Sequence, residues 1–201
     1  MQEAGNVFRG ICCFSNGRWP RRRKSYCPWT AEVGATVAVN YRRDDGAAKE
    51  TVSLIEAAGG RAKAYQASVD DLEEDELMVN QILEDLGPVS ILVNNAGIAS
   101  RGRMVADTDA AELQRVVATH AFAPHYLSRL ILPGMRSLER GDIIMISSVA
   151  TRSLGSHGAP YNMGKTAMEA LAYTLAKEEK INGVRVNIVC LLYTSPSPRD
   201  R

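Results

Sequence analysis

Tyr161 and Lys165 stand four residues apart in "YNMGK", at the start of a segment with helical periodicity. Residues at i and i+4 share one face of a helix, so the phenol and the ammonium are within reach of each other. A cation beside a phenol favours the phenolate and brings a general acid or base toward neutral pH. Ser148, in "MISSVA", closes an apolar run thirteen residues before Tyr161. A hydroxyl at the carboxyl end of a strand faces the crevice in which open sheets bind ligands. "NNAG", Asn94 to Gly97, ends another apolar run, and its small residues permit close approach of a backbone to a ligand. Each feature alone also fits an ordinary surface pair, a strand-end serine or a turn.

The surrounding pattern supplies elements to position these groups. From Gly34 onward, β-rich runs alternate with helical ones. "ATVAVN", "RAKAYQA", "SILVNN", "GDIIMIS" and "VRVNIV" read as strands, "SILVNN" as one buried on both faces. Helices are expected at Gly46 to Gly60, at Glu73 to Gly87, from about Asp109 to Leu132, and from about Tyr161 to Lys180. Strict alternation of this kind builds stacked βαβ units. The fold class expected is α/β, a Rossmann-like doubly wound parallel sheet in a single domain, incomplete at both ends. What is missing is a first strand and its glycine turn, which nothing in residues 1 to 30 supplies.

Composition bounds the partners. The 201 residues carry a net charge of +1, with 45% apolar residues, enough for one substantial core. Residues 1 to 30 hold six basic groups against Glu3, whereas residues 31 to 189 hold 16 basic against 21 acidic groups. No apolar run approaches membrane-spanning length, and no secretory signal is visible at the N-terminus. Cys12, Cys13, Cys27 and Cys190 show no metal-ligand spacing. The expectations are a cytoplasmic protein with no membrane, nucleic-acid or metal partner.

In their order and positions, NNAG, Ser148, YxxxK and "GVRVNIV" resemble the short-chain dehydrogenase/reductase family, classical type, over about Ala31 to Val189. The resemblance implies an NAD(P)-dependent oxidoreductase in which Tyr161 gives a proton to the substrate carbonyl oxygen. It also implies that Lys165 holds the nicotinamide ribose and lowers the tyrosine pKa, and that Ser148 bonds the carbonyl. Asn95, Ala96 and Gly97 border the cofactor, and the partners are a small carbonyl or alcohol substrate and, in the parent protein, further copies in a dimer or tetramer. Its nearest look is to 3-oxoacyl-(acyl-carrier-protein) reductases. A secondary-alcohol, sugar or steroid dehydrogenase, or a non-catalytic Rossmann-like binding module, stays open. Two positions depart from the family. His120 stands where an asparagine of a water-linked proton relay is usual, with a catalytic or a packing role open to it. Ser68, followed by Val69, replaces an aspartate that contacts adenine. Arg42 and Arg43, just past "ATVAVN", favour NADP over NAD, because a guanidinium suits a 2′-phosphate.

The ends read as foreign to this pattern. Trp19 before Pro20 and Trp29 before Thr30 each force a glycine codon one base later, and the shifted frame can spell the family's "VTGxxxGxG". Residues 1–30 are therefore expected to be a frameshifted segment replacing the first strand and glycine loop, 31–189 the catalytic core, and 190–201 a tail resembling a translated transposase-type sequencing adapter. The chain as it stands is expected to be inactive and to fold marginally. A basic arm for nucleic acid is the reading set aside for "RWPRRRK".

Overall fold

A computed structural model describes residues 9–13 and 35–191. Six strands, all parallel, form one sheet in the order β3-β2-β1-β4-β5-β6. They are β1 (Arg9–Cys13), β2 (Thr36–Tyr41), β3 (Arg61–Gln66), β4 (Ile91–Asn94), β5 (Gly141–Ser148) and β6 (Val184–Leu191). The helices are α1 (Asp45–Ala57), α2 (Leu72–Leu86), α3 (Ala110–Val117), α4 (Ala123–Met135), the short α5 (Ala150–Ser153) and α6 (Ala159–Glu178). The strand order reverses between β1 and β4, and the carboxyl ends beside that switch point form the crevice of a doubly wound sheet.

The first strand corrects the sequence expectation. Arg9–Cys13 lies between β2 and β4, with Ile11 opposite Ala38 on one side and Leu92 on the other. The central place is thus filled from within the segment where no strand was expected. Five residues are enough, since a central strand is held by backbone bonds to two neighbours rather than by its own pattern. The glycine turn sought after this strand falls in residues 14–34, outside the described residues.

Local chemistry sets the helix starts. Asp44 caps α1 through Ala47 N–H, Asp71 caps α2 through Glu73 and Glu74 N–H, and Asp109 caps α3 through Ala111 N–H. Pro160 occupies the first turn of α6, where its missing N–H costs nothing. The sheet separates two apolar clusters. One packs α2, α4 and α6 residues such as Ile82, Leu127 and Met168 on Leu92, Ile143 and Met145; the other packs Ala48 and Ile55 of α1 on Val37 and Val39.

Three boundaries differ from the sequence reading. β4 alternates: Leu92 and Asn94 are buried, while Ile91 and Val93 are half-buried, because α1 on that side packs on β2 and β3. The helix expected over 109–132 is two helices joined by a π-type turn at Ala118–Phe122. β6 runs through Cys190 and Leu191, which pair with Ser147 and Ser148, two residues past the strand expected at "VRVNIV".

If β1 holds the centre of the sheet, an Ile11→Pro chain loses a ladder donor flanked by two strands and is destabilised by about 3 kcal/mol or more in urea unfolding. An unchanged unfolding midpoint would remove Arg9–Cys13 from the sheet.

Candidate active site

Lys165 lies on the sheet-facing side of α6, is 4% exposed, and donates from Nζ to the carbonyl of Ile146 at 2.5 Å. An ammonium out of water requires such an acceptor. Two residues further along β5, Ser148 is buried and its Oγ accepts from Ala150 N–H at 3.2 Å, which ties the strand end to α5.

His120 sits in the π-type turn between α3 and α4, a placement common at functional sites, and is 1% exposed. Its ring meets that of Tyr161 edge-on, with centroids 4.9 Å apart and planes at 81°. Nε2 is 2.8 Å from the carbonyl of Ile98, four residues past Asn94. Burial, and after it the charge of Lys165, lowers the His120 pKa to about 4 against the pull of the Ile98 bond, so the ring is neutral at physiological pH. With the proton assigned to Nε2 by its short carbonyl contact, Nδ1 is a buried acceptor without a protein partner among the described residues.

Two glycines make room for this ring. A Cβ on Gly97 would come within 2.7 Å of His120 Cε1, and one on Gly164 within 2.8 Å of His120 Cβ. The first glycine belongs to NNAG and the second to YNMGK. His120 is therefore the piece around which the two motifs close, while the buried Asn94 donates to Met145 Sδ at 3.2 Å across the β4–β5 pair.

Of the residues singled out in the sequence, the structure gathers Gly97, His120, Tyr161 and Lys165 by direct contacts or a shared neighbour, and sets Ser148 at the end of the strand that Lys165 grips. Asn95 and Ala96 are half-buried beside Asn94. Glu112, which sequence reasoning passed over, is buried on α3, accepts from Arg101 N–H at 2.5 Å and lies 3.7 Å from its guanidinium. It ties the segment after NNAG to α3. Its signal in the sequence was only a carboxylate in a helix with one apolar side.

Arg42 and Ser68 lie apart from that group, in an open cleft of about 460 Å³ at the carboxyl ends of β2 and β3, with Arg43, Gln66, Asp70, Asp71 and Glu74. Ser68 Oγ donates to Asp70 Oδ1 at 2.5 Å and its N–H to Glu74 Oε2 at 2.6 Å. Val69 packs its side chain in the core, which leaves only its backbone for a ligand. Behind this cleft Asp75 is 0% exposed, with neither carboxylate oxygen partnered among the described residues. Burial, then the charges of Asp70, Asp71 and Glu74, raise its pKa to about 8. The arrangement offers two guanidinium groups for a phosphate and, at the other end, a phenol, an ammonium and a hydroxyl for proton transfer at a carbonyl.

A family model described as short chain dehydrogenase matches residues 24–200. A ketoacyl reductase of Nostoc sp. is 32% identical over 165 residues, which cover 82% of this chain and 57% of that protein. An acetoacetyl-CoA reductase of Paracoccus denitrificans is 32% identical over 159 residues, covering 79% and 63%. Among solved structures, a metagenomic short-chain oxidoreductase in complex with NADP superposes with a TM-score of 0.81 at 25% identity, covering 96% of this chain and 86% of that one. The chain spans about three fifths of the length of the curated relatives it matches. Among the described residues no helix is long and apolar enough to cross a membrane.

Two measurements check this geometry. Gly164→Ala drives a methyl into His120 and is expected to cost about 1–3 kcal/mol in urea unfolding, while Gly164→Ala with His120→Ala recovers part of that loss; additive losses would contradict the packing. Asp75 binds its proton more tightly folded than unfolded, so stability falls as pH rises from about 4 to about 8 and levels off above. Asp75→Asn is expected to flatten that slope and to be the more stable chain at pH 8; parallel pH profiles would contradict it.

Proposed function

This chain belongs to the short-chain dehydrogenase/reductase family, and on that footing we propose that it reduces a carbonyl of the 3-oxoacyl type to a hydroxyl, with NADPH as hydride donor and Tyr161 as proton donor. The observation that supports this reading is the placement of three groups: the buried Lys165 of α6 bonded to the carbonyl of Ile146 in β5, Ser148 at the end of that strand, and Tyr161 edge-on to the neutral ring of His120. The ketoacyl and acetoacetyl-CoA activities of the two relatives support the substrate class.

The donor set fits a phosphorylated dinucleotide. Arg42, with Arg43 beside it, would take the 2′-phosphate in a cleft that Asp70, Asp71 and Glu74 also line. Ser68 and the backbone of Val69 would border the adenine, and Asn95, Ala96 and Gly97 the nicotinamide half. When bound, NADPH supplies the hydride. The chain's own residues do the rest. Ser148 orients the carbonyl oxygen, Tyr161 releases its proton to that oxygen as negative charge develops, and Lys165 stabilises the phenolate left behind. The bare Nδ1 of His120 offers an acceptor that would hold a water beside Tyr161.

The dinucleotide turn is where this chain departs from its family. Between Cys13 and Thr36 the only glycines are Gly17 and Gly34, too far apart for a GxxxGxG turn. The frameshift proposed for residues 1–30 accounts for that, and the tail proposed for 190–201 replaces the segment that selects substrate. We read the parent as a cytoplasmic dimer or tetramer formed through α4 and α6, whose shared groove includes Leu132, Leu171 and Leu175.

In a fluorescence titration the chain as it stands is expected to bind NADPH weakly, and a GxxxGxG turn built in after Cys13 to tighten binding at least about tenfold and permit turnover of acetoacetyl-CoA. In that restored chain, Tyr161→Phe is expected to lower kcat by about 10²–10⁴ with NADPH affinity unchanged. Tight binding without the turn, or full turnover without the phenol, would contradict the reading.

A further inference from the structure

Two serines end β5, and only the second has a part in the proposed carbonyl chemistry. Ser147 and Ser148 are 2% and 6% exposed, and successive residues of a strand face opposite sides of a sheet. Ser148 caps the turn into α5, whereas the Ser147 hydroxyl donates to the Glu169 carboxylate of α6. Glu169 stands one turn beyond Lys165, beside the stripe of Met168, Ala172 and Leu175 that α6 buries. A carboxylate beside a buried stripe has to be held by a donor, and here the donor is the residue before Ser148.

Two polar contacts between α6 and β5 come from adjacent strand residues and from helix residues one turn apart. Lys165 donates to the carbonyl of Ile146, and one helical turn later Glu169 accepts from the side chain of Ser147. A single contact through a lysine would leave α6 free to slide, because the four-carbon stem of lysine follows small shifts of its helix. Apolar packing of Met168 tolerates the same movement. A second contact one turn away sets both the height of α6 along β5 and its rotation. Serine on the strand side is short and buried, so only the Glu169 stem, two carbons shorter than that of lysine, is left to follow a shifted helix.

Resting on the reductase reading, we propose that Glu169 is a positioning residue: through Ser147 it sets the register of α6 on β5 and so holds the Tyr161–Lys165 pair at a fixed offset from Ser148. Glu169 touches no reacting atom in this account. Gln can keep the bond to Ser147, and Leu cannot.

The test is residue-resolved acylation of lysines with acetic anhydride in the chain without cofactor, comparing the unaltered protein with Glu169→Leu, Glu169→Gln and Ser147→Ala. Exposed Lys177 and Lys180, beyond the contact, serve as internal references. Lys165 is expected to react about fivefold faster in Glu169→Leu and in Ser147→Ala, the factor that corresponds to the loss of one hydrogen bond. The references should not change, and Glu169→Gln should restore protection. Unchanged Lys165 reactivity in Glu169→Leu and Ser147→Ala, or failure of Gln to restore it, would overturn the proposal, as would a uniform rise at all three lysines in the mild Ser147→Ala chain. With the glycine turn restored, kcat should fall in Glu169→Leu and recover in Glu169→Gln. Full turnover by Tyr161→Phe would sink the reductase reading alone, since the acylation result does not depend on it.

Discussion

A lysine ammonium taken out of water is the constraint around which this site is built. At 4% exposure, Lys165 needs an acceptor, and the carbonyl of Ile146 provides one. The architecture makes that carbonyl approachable. β4 pairs with β5 only as far as Asn94 opposite Met145, so β5 runs on past its partner on that flank while β6 keeps it paired on the other. Burial, and after it the same charge, keeps the His120 imidazole neutral, so that its unprotonated nitrogen accepts hydrogen bonds without taking up a proton. A cation, a neutral ring and a phenol can share a small volume only in this charge state, because two cations there would each raise the cost of the other.

The order of the sheet then decides what the site can meet. NNAG, Ser148 and the arginines after β2 arise in separate parts of the chain and come to one edge because parallel strands deliver all their carboxyl ends to the same side. His120 links the outer pieces. His120 fills the space that side chains on Gly97 and Gly164 would need, so the loop after β4 and the second turn of α6 are set by one residue. Apart from these groups, at the carboxyl ends of β2 and β3, two guanidinium groups and three carboxylates line one open cleft.

Most of this was legible where a pattern repeats. The elements of β2 to β6 follow from alternating apolar runs, and Ser148, Tyr161 and Lys165 from their positions on those elements. What escaped had no periodicity to betray it. β1 is five residues inside a segment of foreign composition, and its place depends on partners 27 and 81 residues away in the chain. The π-type turn at Ala118–Phe122 interrupts a helix whose sequence is continuous, because it answers to the packing of His120 rather than to local propensity. Glu112 and Glu169 read as surface charges on amphipathic helices; only the tertiary fold turns them toward Arg101 and Ser147. Asp75 was equally silent, an acid among acids until burial sets it apart.

The central claim is that these residues serve hydride transfer to a carbonyl, and the transferred atom reports on it directly. The measurement is mass spectrometry of the product formed from a 3-oxoacyl thioester and NADPH deuterated at the transferable C4 position, using the chain with its glycine turn restored. The account predicts one deuterium on the hydroxyl-bearing carbon, and its loss in Tyr161→Phe while NADPH still binds. Binding of NADPH with no label delivered to any carbonyl offered would contradict it and leave a dinucleotide-binding protein without this chemistry.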